Sequence, residues 1–188
     1  MRIITKKEIE DKKEFYFSEI KKGKIFVYPT DTIYGIGCDA LNDKAVLRIR
    51  KIKNREEKPF SIIAPSKEWI VKNCFVDEIG RKWLDKLPGA YTLILKLQNK
   101  NAVAKEVNDN SGTLGVRIPA NWFAEFISSV GAVFVTTSVN LSGEKPINSL
   151  HDLKGEIKKF VDYFVDYGEL KNPPSTVVNL IDGEKVVR

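Results

Sequence analysis

Ile25-Phe26-Val27-Tyr28-Pro29-Thr30-Asp31-Thr32-Ile33-Tyr34-Gly35-Ile36-Gly37 is the stretch on which the reading of this chain turns. Four apolar residues stopped by a proline, which cannot donate to a sheet ladder, read as a short buried strand ending at Tyr28. Three small polar side chains and two glycines follow. Open α/β sheets hold ligands just beyond strand ends, so the hydroxyls of Thr30 and Thr32 and the carboxylate of Asp31 can orient a polar ligand there. A turn whose Thr and Asp side chains satisfy nearby backbone groups explains the same residues, and the spacing leaves both readings open.

Working outward, helices flank this strand. Thr5 with Glu8 three residues on is a capping box, opening a helix over about 6–22 that stops at Gly23. Asn42 or Asp43 caps a second helix through Ala45, Val46, Leu47, Ile49 and Ile52. Further strands are predicted at 60–64, 91–97, 114–118, 132–137, 163–166, 176–181 and 185–187. In the strand 91–97, Tyr91, Leu93, Leu95 and Leu97 share one face, and Thr92, Ile94 and Lys96 the other. Helices are predicted after the caps Ser66 and Asp77, over 122–130, and from Ser149 to about Phe160. Helices and strands alternate, but some strands follow one another directly. The expected fold is therefore α/β on the α+β border, a mixed sheet flanked by helices.

Composition narrows the chemistry. Across 188 residues, 31 Lys and Arg stand against 25 Asp and Glu, with one His and two Cys. A four-ligand Cys/His zinc site would take nearly all of those residues. A Ser-His-Asp or Cys-His triad would rest on His151 alone, which sits near a helix start and reads as a surface or capping residue. Cys38 and Cys74 read as reduced packing thiols. No apolar run is long enough to span a membrane, and the N-terminus turns charged at once, so the expectation is a cytoplasmic protein. The net charge of +6 suits an anionic ligand, although solubility alone explains it equally.

Four more segments carry candidates. Seven cations fall between Lys44 and Lys58. Lys44, Arg48 and Lys51 fit the solvated face of a helix. Lys53-Asn54-Arg55 lies where the helical pattern stops, and two cations in a loop can grip successive phosphates. Arg117, between Val116 and Ile118 in a strand, is either a surface residue or a carboxylate clamp. Only seven of the 31 cations are arginines, which favours specific geometry at each. Thr136-Thr137-Ser138-Val139-Asn140 leaves a strand end, where neutral donors either form turns or cradle phosphates. Ser175-Thr176 opens a strand after Pro173-Pro174. No Walker loop accompanies these residues. Fixed cations and hydroxyls without a protein nucleophile suit phosphoryl or nucleotidyl transfer, where catalysis is mostly positioning and charge stabilisation.

In order along nearly the whole chain, PTDTIYGIG at 29–37, KNR at 53–55, KPFSII at 58–63, LPGAYTLIL at 87–95, GVRIP at 115–119, TSVNLSG at 137–143, STVVNL at 175–180 and VVR at 186–188 closely resemble the YrdC/Sua5 family, the threonylcarbamoyl-AMP synthases. The resemblance implies a single catalytic domain over 1–188, the short form of the family, with a YrdC-like twisted mixed sheet and a concave, positively charged face. It implies a nucleotidyltransferase that makes threonylcarbamoyl-adenylate and pyrophosphate from L-threonine, bicarbonate and ATP. A downstream transferase then passes the threonylcarbamoyl group to adenosine 37 of tRNAs reading ANN codons. Carried over by motif, Lys53 and Arg55 would hold the ATP phosphates and act in catalysis, with Thr113, Ser138, Asn140 and Arg188 also at ATP. Thr30, Arg117, Thr136 and Ser175 would bind threonine. Mg2+ would arrive mainly on ATP, with no dedicated protein ligands.

Departures from the family pattern are an apolar Ile63, where some members place His or another polar residue, and Pro173-Pro174 before Ser175. A sister branch shares most of these motifs, and related domains form a carbamoyl-adenylate without threonine. Double-stranded RNA or tRNA binding on the basic face is the alternative function.

Overall fold

The computed structural model describes residues 1–55 and 58–187. The described residues hold ten strands: β1 (Arg2–Ile4), β2 (Phe26–Tyr28), β3 (Gly35–Gly37), β4 (Ser61–Ile63), β5 (Tyr91–Lys96), β6 (Thr113–Arg117), β7 (Phe134–Ser138), β8 (Tyr163–Val165), β9 (Thr176–Asn179) and β10 (Lys185–Val186). They form one open sheet in the order β1-β8-β2-β3-β7-β4-β6-β5-β9-β10. β8 is parallel to β1 and β2, β4 to β6, and β5 to β9; the other pairings are antiparallel. The sheet is mixed, as the uneven alternation of elements predicted. The helices are α1 (Lys6–Asp11), α2 (Lys13–Lys21), α3 (Asp43–Lys53), α4 (Lys67–Asn73), α5 (Glu78–Leu84), α6 (Lys105–Asn108), α7 (Trp122–Ser129) and α8 (Gly155–Lys158).

Three expectations need correction. The first helix breaks at Lys12, whose backbone leaves helical geometry (φ −127°, ψ 40°). Thr5 does cap it, but the Glu8 carboxylate bonds Arg2 and the Tyr16 hydroxyl. The helix expected after Ser149 is a 3-10 turn (Leu150–Asp152), which carries the exposed His151, followed by α8. The extended backbone of Leu153 separates the two. Third, no element was expected at β1, β3 or α6; the three residues of β3, with one large side chain, show no periodicity.

At the start of α3, Asn42 rather than Asp43 is the cap. Its Oδ1 accepts from the Ala45 N–H at 3.0 Å. Asn42→Ala is expected to cost about 1 kcal/mol, read as a lower urea midpoint at unchanged slope.

Alternation along the strands packs both faces. Val27, Ile62, Val116 and Val135 enter one apolar cluster. Their neighbours Phe26, Tyr28, Ile63 and Phe134 enter a second, aromatic one with Phe123 of α7. Tyr28 stacks on Phe123 at 4.4 Å between ring centroids. Toward β5 and β9 the pattern changes. Leu93 and Leu95 still enter the first cluster, but Thr92 and Ile94, on the opposite face, line a cavity. Ser61, Arg117, Thr136 and Ser138 reach the same space from β4, β6 and β7.

Candidate functional site

The cavity has a volume of about 330 Å³. Thr30, Arg55, Arg117, Thr136, Ser138 and Ser175, all candidates from sequence, line it. Lys53, Asn140 and Thr113 do not belong to the lining. Arg188 lies outside the described residues.

At its floor, Arg117 is 6 % exposed. Its Nη2 donates to Asp31 Oδ1 at 2.6 Å. The other Asp31 oxygen accepts from the Ala120 N–H at 2.9 Å, and Asn172 Nδ2 donates to the Asp31 carbonyl at 2.9 Å. Asn121 Nδ2 donates to the Pro29 carbonyl at 2.7 Å. The loop after β2 is thus tied to segments on both sides, and Asp31 holds Arg117 in place. The spacing left Asp31 open between a ligand and local backbone groups, and its carboxylate instead bonds Arg117 and the Ala120 N–H, far along the chain.

The turn reading of the threonines also has support. Thr30 Oγ1 donates to the Ile33 carbonyl at 2.7 Å and accepts from the Thr32 N–H at 3.0 Å. Thr32 Oγ1 lies 2.9 Å from Thr30 Oγ1 and 3.5 Å from Arg117 Nη2. A buried hydroxyl chain therefore runs toward the guanidinium. Across the cavity, Thr92 Oγ1 lies 3.0 Å from Ser175 Oγ. Thr92 was missed as a site residue, although its place opposite the apolar face of β5 was visible in the alternation.

Lys53 sits behind the wall and is 3 % exposed. Its Nζ donates to the Ser138 carbonyl (2.5 Å), the Asn140 carbonyl (2.9 Å) and Asn140 Oδ1 (3.0 Å). Ser138 Oγ donates to the same Asn140 Oδ1 at 2.6 Å, while Asn140 Nδ2 donates to the Leu141 and Glu144 carbonyls. Lys53 therefore shapes the loop after β7 from within. Thr113 lies 3.1 Å from Ser111 by its hydroxyl, at the opposite end of β6 from Arg117.

Burial first, and the Arg55 cation second, lower the Lys53 ammonium from its ordinary 10.5 to about 7. Arg55 is shifted downward too, by burial and by the charge of Arg50. Among the described residues, neither has a carboxylate in ion-pair contact. An anion entering beside them would favour both charged forms. Between pH 7 and 10.5 the unfolded chain binds more protons at Lys53 than the folded one. That stability is fully present above about 10.5 and is lost as pH falls toward 7. In Lys53→Met, the rise of unfolding free energy across this window is expected to flatten by up to about 1.4 kcal/mol per pH unit, measured by urea denaturation at several pH values.

Among the described residues no cluster of His, Cys, Asp or Glu could hold a metal, and no helix is long and apolar enough to cross a membrane. The described lining offers hydroxyls and guanidinium groups but no carboxylate. That donor set suits a divalent cation carried in on phosphates better than a resident one.

Comparison with known proteins agrees with this architecture. A family profile named for Sua5, YciO and YrdC, and described as telomere recombination, matches residues 18–188. A putative threonylcarbamoyl-AMP synthase of Methanocaldococcus jannaschii is 38% identical over 194 residues, covering all of this chain and 89% of that one. The structure of P. abyssi Sua5 complexed with L-threonine superposes with a TM-score of 0.83 at 28% identity, over 96% of this chain. The present chain covers 54% of that Sua5 chain. Escherichia coli YciO superposes with a TM-score of 0.85 at 26% identity, covering 100% of this chain and 94% of that one. With its mixed sheet, its cavity and a profile match over most of its length, the chain belongs to the Sua5/YciO/YrdC family.

Proposed function

We propose that this chain makes threonylcarbamoyl-AMP and pyrophosphate from L-threonine, bicarbonate or CO2, and ATP, as a nucleotidyltransferase supplying the tRNA threonylcarbamoyl transferase step. The observation that carries the reading is the convergence of a buried, pre-positioned Arg117 and a set of hydroxyls with the cationic Arg55 in one cavity. Arg117 suits the threonine carboxylate, with Thr30, Thr136 and Ser175 around the rest of the molecule. Arg55 and Ser138 suit the triphosphate, and Mg2+ would come with it.

The chemistry asks little of protein side chains. The threonine amine adds to CO2 and loses a proton, giving an N-carboxylate. One of its oxygens attacks the α-phosphorus, and the bond to pyrophosphate breaks. The nucleophile is the substrate's own, so the scarcity of His and Cys is no obstacle. Charge grows on the leaving pyrophosphate, where Arg55 would offset it. The contacts of Lys53 support a supporting role, in which it keeps the loop bearing Ser138 and Asn140 in shape and adds a cation nearby.

The test is pyrophosphate release by the purified chain. Release is expected only when ATP, L-threonine and bicarbonate are all present. Release that does not depend on threonine would sink the assignment and point to the carbamoyl-adenylate or YciO-like branches of the fold.

A further inference from the structure

The two arginines flanking the turn after α3 are not equivalent. Arg55 faces the cavity, whereas Arg50 is buried behind it, 9 % exposed. Arg50 Nε donates to the Glu106 carbonyl in α6 at 2.8 Å. Its Nη1 donates to the carbonyls of Arg55 at 3.2 Å and Lys58 at 3.3 Å. Arg55 in turn donates from Nε to the Lys58 carbonyl at 3.1 Å and from Nη2 to the Pro59 carbonyl at 2.7 Å. The two guanidinium carbons lie 4.8 Å (Arg50) and 5.2 Å (Arg55) from the centroid of the buried Phe60 ring. The Phe60 N–H is anchored on the Val107 carbonyl at 2.8 Å. The turn is entered through Asn54 in the left-handed region, at φ 49°.

The carbonyls of Arg55 and Lys58 therefore point inward onto Arg50, and α6 anchors Arg50 from behind. A planar fork with donors on several edges can meet three carbonyls from two segments at once. A lysine ammonium at the same place cannot keep that arrangement. Filling space would require no such bonding to the very segment that presents Arg55.

We propose that Arg50 is a positioning residue that acts through Arg55, fixing the guanidinium that meets the nucleotide phosphates without itself touching substrate. This rests on the synthase reading, and its test separates the two. Arg50→Lys, Arg55→Ala and the double variant are made in the full chain, and threonine-dependent pyrophosphate release is followed against ATP and threonine in turn. Arg50→Lys is expected to raise the KM for ATP about tenfold while moving that for threonine less than about twofold. In the Arg55→Ala background it should add nothing, because the group it positions is gone.

An unchanged KM for ATP in Arg50→Lys would overturn the proposal, as would a fully additive effect in the double variant. Should Arg50→Lys fail to fold, Arg50→Gln, which removes the charge and most of the fork's donors while leaving Phe60 and Arg55 untouched, goes through the same cycle under the same criteria. Wild-type chain without threonine-dependent release fails the synthase reading and this proposal together. An active wild type with additive variants fails this proposal alone.

Discussion

Arg117→Ala is expected to raise the KM for threonine by on the order of 100-fold while leaving that for ATP within about 3-fold. The size follows from removing charge-assisted hydrogen bonds to a carboxylate, about 2–3 kcal/mol in all, with tenfold for each 1.4 kcal/mol. The selectivity follows from place. Arg117 enters from β6 at the floor of the cavity, beside Thr32, whereas Arg55 enters from the turn after α3. Initial rates at varied threonine and saturating ATP, then the reverse, decide it. Equal effects on both substrates would remove the clamp role. The same substitution should also be visible without substrate. The side chains of Arg117 and Asp31 are 8% and 11% exposed, and removing one partner of such a pair strands the other. The unfolding free energy should fall by about 3 kcal/mol. Asp31→Asn should also lose stability, because its single amide oxygen can keep only one of the two contacts, to Arg117 or to the Ala120 N–H, and its NH2 then faces the other donor.

Gly37→Ala should be the most damaging small substitution in the chain. A methyl at this position would stand 1.9 Å from the Val135 carbonyl oxygen and 2.7 Å from the Phe134 ring. The first of these is backbone of the adjoining strand β7, so no rotamer relieves it. Cys38 sits on the same carbonyl ladder, accepting from the Val135 N–H at 2.8 Å. The expected loss is about 3 kcal/mol, the upper end of the usual overpacking range, because the clash is with backbone that has no room to relax. Soluble yield and the midpoint of thermal unfolding measure it. Gly155→Ala is the control. Nothing lies within 4 Å of its added methyl, and it opens α8, so stability should hold or rise by a few tenths of a kcal/mol. If Gly37→Ala were as mild as Gly155→Ala, the tight β3–β7 pairing would be wrong.

Legibility differed from residue to residue. Arg117 was readable as a candidate because an arginine between two β-branched residues in a strand needs a reason, and here it bonds the half-buried carboxylate of Asp31. Ser138 and Ser175 were readable as hydroxyls at strand ends. Lys53 was readable as special but not in its direction. The end of α3 and the loop after β7 come together only in the fold, where three oxygens meet its ammonium. Asp31 stayed open between a ligand and local backbone because its partner stands 86 residues away. Thr113 shares a strand with Arg117, yet the strand carries it to the far end, a separation that a linear motif does not express.

What the sequence determined by itself is local. Caps at Thr5, Ser66 and Asp77, and a cap at Asn42 or Asp43, set helix starts because a side-chain oxygen answers a backbone N–H three residues on, and nothing distant is needed. Alternating and continuous apolar runs set the longer strands, and the ordered motifs set the family. Only the tertiary structure decided which polar groups bind each other and which face the cavity. Strand order and register decide that, by bringing β4, β5, β6, β7 and β9 side by side from positions spread over more than half of the chain. The short β3 belongs with them. Its three residues are a strand because β2 and β7 supply hydrogen bonds on both sides, not because Gly-Ile-Gly favours one.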